Sequence, residues 1–145
     1  MFMLRAFIIL LGMTSFLGHA ELVVTNATVR LLPPGVPNTS AYFSIENLSN
    51  KTEILVSASS TIADKVELHN HVLVNDMMSM QQQESVKIEP EETVQFKPGG
   101  LHIMLFGLNQ KLTEHQEVSI RLLTLDGKTL DFIATVARPS HAHHH

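Results

Sequence analysis

Residues 65–83 read KVELHNHVLVNDMMSMQQQ, and the period of this stretch is two. Over residues 65–74, Val66, Leu68, Asn70 and Val72 fall on one side of an extended chain, with Glu67, His69, His71 and Leu73 on the other. Asn75-Asp76 is a turn pair, and residues 77–83 form the returning strand of a hairpin, with Met78 and Met80 on one face. A tight turn sets Met80 directly opposite His71 and diagonal to His69, whereas a looser loop sets it opposite His69. The sequence leaves that register open.

Working outward, the same reading recurs and no helix emerges. Residues 22–32 carry Val23, Val24 and Val29 and end at Pro33, Pro34 and Gly35, a strong turn signal. Strands are expected over residues 41–46 and 52–58, then over the short segments 86–88 and 93–96, which Pro90 separates. Pro98-Gly99-Gly100 precedes a strand at 101–106, and Asp126-Gly127 joins strands at 118–125 and 129–136. In the last pair Val118, Ile120 and Leu122 alternate, as do Leu130, Phe132, Ala134 and Val136. No breaker-free segment places apolar residues at i, i+3, i+4 and i+7. Short strands at close turn spacing point to an all-β antiparallel sandwich or barrel.

The composition fits one domain. Of 145 residues, 44% are hydrophobic and 17% charged, which is too apolar for a disordered chain. Ten basic residues against fourteen acidic ones give a net charge of −4, so no basic face exists for a nucleic acid. The first twenty residues, MFMLRAFIILLGMTSFLGHA, hold one charge, Arg5, then an apolar run and small residues at Gly18 and Ala20. They read as a secretory signal peptide, so the protein is expected in the periplasm without stable membrane insertion after cleavage. No Cys follows the apolar run, which leaves no thiol for a lipoprotein anchor and no disulfide for the exported domain. The expected organisation is a signal peptide at 1–20, a β domain at 21–138 and a flexible His-rich tail at 139–145.

Beyond residue 20 there are four methionines, Met77, Met78, Met80 and Met104, and three histidines (His69, His71, His102) share their two stretches. Scattered core-filling methionines would not be expected to cluster with imidazoles in this way. In LHIMLF, residues 101–106, His102 and Met104 project from one face and Ile103 and Leu105 from the other. Two imidazoles and two thioethers make a neutral, soft donor set suited to Cu(I); zinc favours thiolate, imidazole and carboxylate, and hard cations favour oxygen. Glu67 is either a partner of a ligand or merely solvated.

The spacing H-x10-M-x21-H-x-M, from His69 through Met80 and His102 to Met104, resembles the signature of the PCuAC family of periplasmic copper(I) chaperones. The segments PPGVPNTSAYFSI, KVELHNHV and KPGGLHIMLFGLNQKL are similar to that family's, and the likeness runs over residues 21–136. The resemblance implies a Greek-key, cupredoxin-like β-barrel holding one Cu(I) near its surface through His69, Met80, His102 and Met104. It also implies a monomer that passes copper to an apo copper protein, either the CuA centre of cytochrome c oxidase or a Sco-type thiol protein. His71 is a rival or auxiliary to His69, and Met77 and Met78 are alternatives to Met80.

The tail SHAHHH places His141, His143, His144 and His145 within five residues, a nitrogen-rich set suited to Cu(II), against the plainer reading of a polar tail. A blue-copper redox site needs a Cys thiolate, which the chain lacks. Ser79 has no base or acid arranged to activate it. Neither catalytic nor cofactor-binding residues are expected, and the remaining alternative to a chaperone is a copper storage or tolerance protein.

Overall fold

The computed structural model describes residues 21–139; the expected signal peptide and the tail histidines lie outside them. Ten strands follow one another: β1 (Leu22–Arg30), β2 (Thr39–Asn47), β3 (Glu53–Ser59), β4 (Ala63–Val74), β5 (Met77–Gln82), β6 (Val86–Ile88), β7 (Thr93–Phe96), β8 (His102–Leu108), β9 (Glu117–Thr124) and β10 (Thr129–Ala137). The described residues contain no helix. The strands hydrogen-bond in the order β5-β4-β8-β2-β1-β10-β9-β3-β6, with β7 added to β2. The second half of β2 pairs with β7 through Phe43↔Phe96, and its first half with β8 through Ser40↔Met104.

The all-β expectation holds, with two corrections. The sheet is mixed, because β1 and β10 run parallel through Thr28↔Thr135, Val29↔Val136 and Arg30↔Ala137. Alternation fixes which face a residue takes but carries nothing about the direction of the neighbouring strand. The sheet also stays open and is not a closed barrel: its path ends at β5 and β6, which do not pair. β5 presents only exposed or half-buried residues, MMSMQQ, and β6 is three residues long, so neither offers a ladder that would close the ring.

Closure is replaced by folding over a common core. Ala41, Phe43 and Ile45 of β2, Val118, Ile120 and Leu122 of β9 and Ala134 and Val136 of β10 point inward in strict alternation. Phe43 stacks on Phe96 at 4.4 Å and meets Phe132 at 4.8 Å. Leu68 of β4 and Ile103 and Leu105 of β8 join this cluster, and each is worth about 1.5–3 kcal/mol when fully withdrawn from water. The opposite faces of β4 and β8 are thereby held in place from behind.

An ion cluster fastens the far end of the sheet. Lys128 Nζ lies 2.6 Å from Glu21, 2.9 Å from Glu53 and 3.4 Å from Asp126. Glu53 is 2% exposed, so its carboxylate has lost most of its water and depends on this cation. Asp126 is held down at about 2, mainly by a short hydrogen bond from the Thr124 hydroxyl. Lys128→Met is expected to lower the thermal unfolding midpoint, and adding Glu53→Gln to recover part of the loss, since the second change removes the abandoned charge. A double variant no more stable than Lys128→Met contradicts this account.

Candidate metal centre

The outward face of β4, β5 and β8 carries the polar and sulfur-bearing residues in rows. β4 and β8 pair through Glu67↔Met104, Leu68↔Ile103 and His69↔His102. With Leu68 and Ile103 committed to the core, the period of two sends His69, His102, Glu67 and Met104 the other way. On the other side of β4, β5 adds Met80 opposite His71 and Gln82 opposite His69. Asn75 and Asp76 both have positive φ, 51° and 61°, as the two-residue turns that match strand twist require. The tight-turn register is therefore the one adopted, and Met80 sits diagonal to His69.

The hydrogen bonds of two imidazoles fix their tautomers. His102 Nδ1 is 2.9 Å from the Gly100 carbonyl, which can only accept, so Nδ1 carries the proton and Nε2 keeps a lone pair. His69 Nε2 is 2.7 Å from Glu67 Oε2, and that bond is the main cause holding the Glu67 carboxyl below its usual range. An ionised Glu67 can only accept, so His69 donates from Nε2, and in the neutral ring the lone pair is at Nδ1. Glu67 is thus a partner of His69 and not a solvated bystander. Among the described residues, the buried side-chain atoms without a partner are His69 Nδ1, His102 Nε2 and His71 Nδ1. The first two are the nitrogens that the bonding pattern leaves with lone pairs. An unpartnered buried polar atom costs about 1–3 kcal/mol, so these positions are open for a ligand that accepts electron pairs.

The rings crowd together. His71 and His102 have centroids 5.1 Å apart, His69 and His102 5.8 Å, and Phe106 covers His69 at 5.8 Å. His102 is 2% exposed, and burial is the main cause pushing its pKa down, with His71 and His69 adding to it. Met104 Sδ accepts a weak hydrogen bond from Ser40 Oγ at 3.5 Å. Met80 is 45% exposed, so the face is buried on its imidazole side and open on its hairpin side. Among the described residues, no three His, Cys, Asp or Glu side chains converge as a metal-holding group.

The alternatives named from sequence separate. Met78 pairs with Leu73, one same-face position beyond Met80, while Met77 pairs with Val74 on the other face, and both are largely exposed. His115, the remaining histidine among the described residues, precedes β9 and lies 4.0 Å from Glu114. Ser40 and Gly100 were not foreseen. Gly100 is two residues from His102 and within reach of local reasoning, but Ser40 comes to Met104 only through the β2–β8 register, which no local pattern announces.

The sequence profile of a family described as "Putative lipoprotein LpqE-like" matches residues 22–136. A relative from Leifsonia xyli subsp. xyli, "Putative lipoprotein Lxx21020", is 36% identical over 107 residues, 73% of this chain and 63% of that protein. The matched region thus spans less than two-thirds of that relative's length. Among solved structures, the apo PCuAC domain from PmoF1 superimposes with a TM-score of 0.70 at 18% identity, covering 83% of this chain and 96% of that one, a likeness of fold. DR1885 from Deinococcus radiodurans has been solved in apo and CuI forms. The apo form matches with a TM-score of 0.64 at 31% identity, over 82% of this chain and 80% of that one. The CuI form matches at 0.61 and 30%, over 80% and 77%.

The buried His102 makes a pH prediction. An unfolded histidine takes its proton near pH 6.5, but folded His102 does so only at lower pH. Below about pH 6.5 the unfolded chain therefore binds more protons, and stability falls as the pH drops. Glu67 is lowered as well, but its contribution is lost only below its ordinary value of 4.5, so the interval from 6.5 to 5 isolates the histidine. Denaturant unfolding across that interval is expected to show a shallower pH slope for His102→Gln than for the wild type. Equal slopes would exclude this role for His102.

Proposed function

This chain belongs to the LpqE-like family, and we propose that its β4–β5–β8 face binds one Cu(I) as cargo and hands it on, making the protein a copper chaperone and not an enzyme. The observation that carries the reading is the pair of unpartnered, buried lone pairs at His69 Nδ1 and His102 Nε2, set beside the thioethers of Met80 and Met104. Imidazole and thioether are both ligands of Cu(I), and a neutral donor set suits a singly charged, soft ion better than zinc or a hard cation. The likeness to DR1885, which has a CuI form, supports the same reading. The proposed ligands are His69, Met80, His102 and Met104, with Glu67 and the Gly100 carbonyl orienting the two imidazoles.

Delivery needs an exit as well as a site. Met80 is the most exposed of the four, on an edge strand, so an incoming ligand from a recipient can take its place before the buried histidines let go. We place the protein in the periplasm after removal of residues 1–20. Its recipient there is an apo copper protein such as the CuA centre of cytochrome c oxidase or a Sco-type thiol protein. His141, His143, His144 and His145 are proposed to capture Cu(II) separately. Loss of Cu(II) binding on deletion of residues 140–145 is the expected result, and unchanged binding would refute it. Storage predicts the same site but no transfer to an apo recipient.

The test is an anaerobic Cu(I) competition titration of the chain from Glu21 onward against a chromogenic chelator. One tightly held Cu(I) is expected, weakened at least about tenfold by Met80→Ala or His102→Ala. Glu67→Gln, which leaves the ligands intact but loosens His69, is expected to cost about tenfold. A wild-type chain that cannot compete for Cu(I) would end the proposal.

A further inference from the structure

We infer that His71 is a fifth copper ligand, lying outside the four-residue spacing pattern, and that with Met80 it forms an outer position sharing His102 with an inner position of His69 and Met104. This rests on the reading that copper binds this face. The first support is register. His71 is directly opposite Met80, whereas His69 is opposite Gln82 and only diagonal to Met80. Directly opposed side chains approach to about 5 Å and diagonal ones to about 7–8 Å, so an ion on the Met80 sulfur meets His71 before His69.

The second support is the ring geometry. His71 and His102 lie 5.1 Å apart, closer than His69 and His102 at 5.8 Å. Two imidazoles on one metal, with metal–nitrogen bonds of about 2.0 Å, bring their centroids to roughly 5–6 Å. The third is the unpartnered nitrogen. His71 Nδ1 is buried without a hydrogen bond, although the residues just beyond it, Leu73, Val74, Met77 and Met78, all stand in water.

The registers divide the donors, with His69 and Met104 flanking His102 across β4 and β8 and His71 facing Met80 across β4 and β5. Two overlapping positions that share His102 satisfy all of them. The inner position is rigid, since Glu67 anchors His69 and Ser40 contacts Met104. At the outer position, His71 has no partner at Nδ1 and Met80 is exposed, so this is the side through which copper passes to a recipient. Copper remains Cu(I) throughout; one imidazole and one thioether replace another.

The experiment is 15N imidazole NMR on the chain from Glu21 onward, titrated with Cu(I) under anaerobic conditions. His69 Nδ1, His102 Nε2 and His71 Nδ1 are all expected to shift and to saturate together at one equivalent. If none shifts, the copper reading itself fails; if His69 and His102 shift while His71 does not, only the present inference fails. A second arm follows hand-over of Cu(I) to a chelator by stopped flow. His71→Asn is expected to retain one Cu(I) but to slow hand-over about tenfold. An unchanged or faster hand-over would overturn the outer position.

Discussion

The ladder between β4 and β8 is the constraint on which the rest of the molecule depends. One set of backbone hydrogen bonds sets Leu68 against Ile103 and Val66 against Leu105 on the core side, and His69 against His102 on the other. Because side chains alternate, the two faces cannot be adjusted independently. A slip of one residue would press Glu67 and His69 into the apolar cluster and bring Leu68 into water. The cost of exposing buried Leu68, Ile103 and Leu105 therefore holds the imidazoles in register, although they take no part in the core themselves.

That arrangement explains how polar groups without partners persist. Three buried imidazole nitrogens lack a hydrogen bond, a cost the core can carry because the strands behind them are fixed. The two carboxylate groups that matter most are kept apart from this face or put to use on it. Glu53 is neutralised at the far end by Lys128, and Glu67 spends its charge on the outer nitrogen of His69. What remains facing the open positions is neutral and polarisable, the electrostatic condition for an ion of low charge.

Much of this was legible in the sequence, and the rest has identifiable reasons for being hidden. The facing of His69, His71, His102, Met80 and Met104 follows from alternation alone, and the strands lie close to where turn chemistry puts their ends. The hairpin register was open between two arrangements until the left-handed backbone of Asn75 and Asp76 selected one. Strand direction was invisible, so the parallel pairing of β1 with β10 contradicts an all-antiparallel reading. The open ends of the sheet depend on β5 and β6 having too little to join, although the two strands follow one another in the chain. Ser40 beside Met104 is a contact between residues 64 apart, and nothing near either announces it.

The parallel pairing also gives the domain two poles. Leu22 opens β1 at one end, while Ala137 closes β10 at the level of Arg30, at the other. Met104 sits across from Ser40, whose strand neighbour Ala41 pairs with Val29, so Met104 lies toward the Ala137 pole, while the β4–β5 hairpin carries His71 and Met80 back toward the Leu22 pole. Seven residue steps of strand, about 20 Å, separate Val29 from Leu22. The described chain thus opens and closes at opposite poles. The histidine and methionine rows therefore run along the length of the domain, with Met104 nearer the pole where the described chain closes and Met80 nearer the pole where it opens.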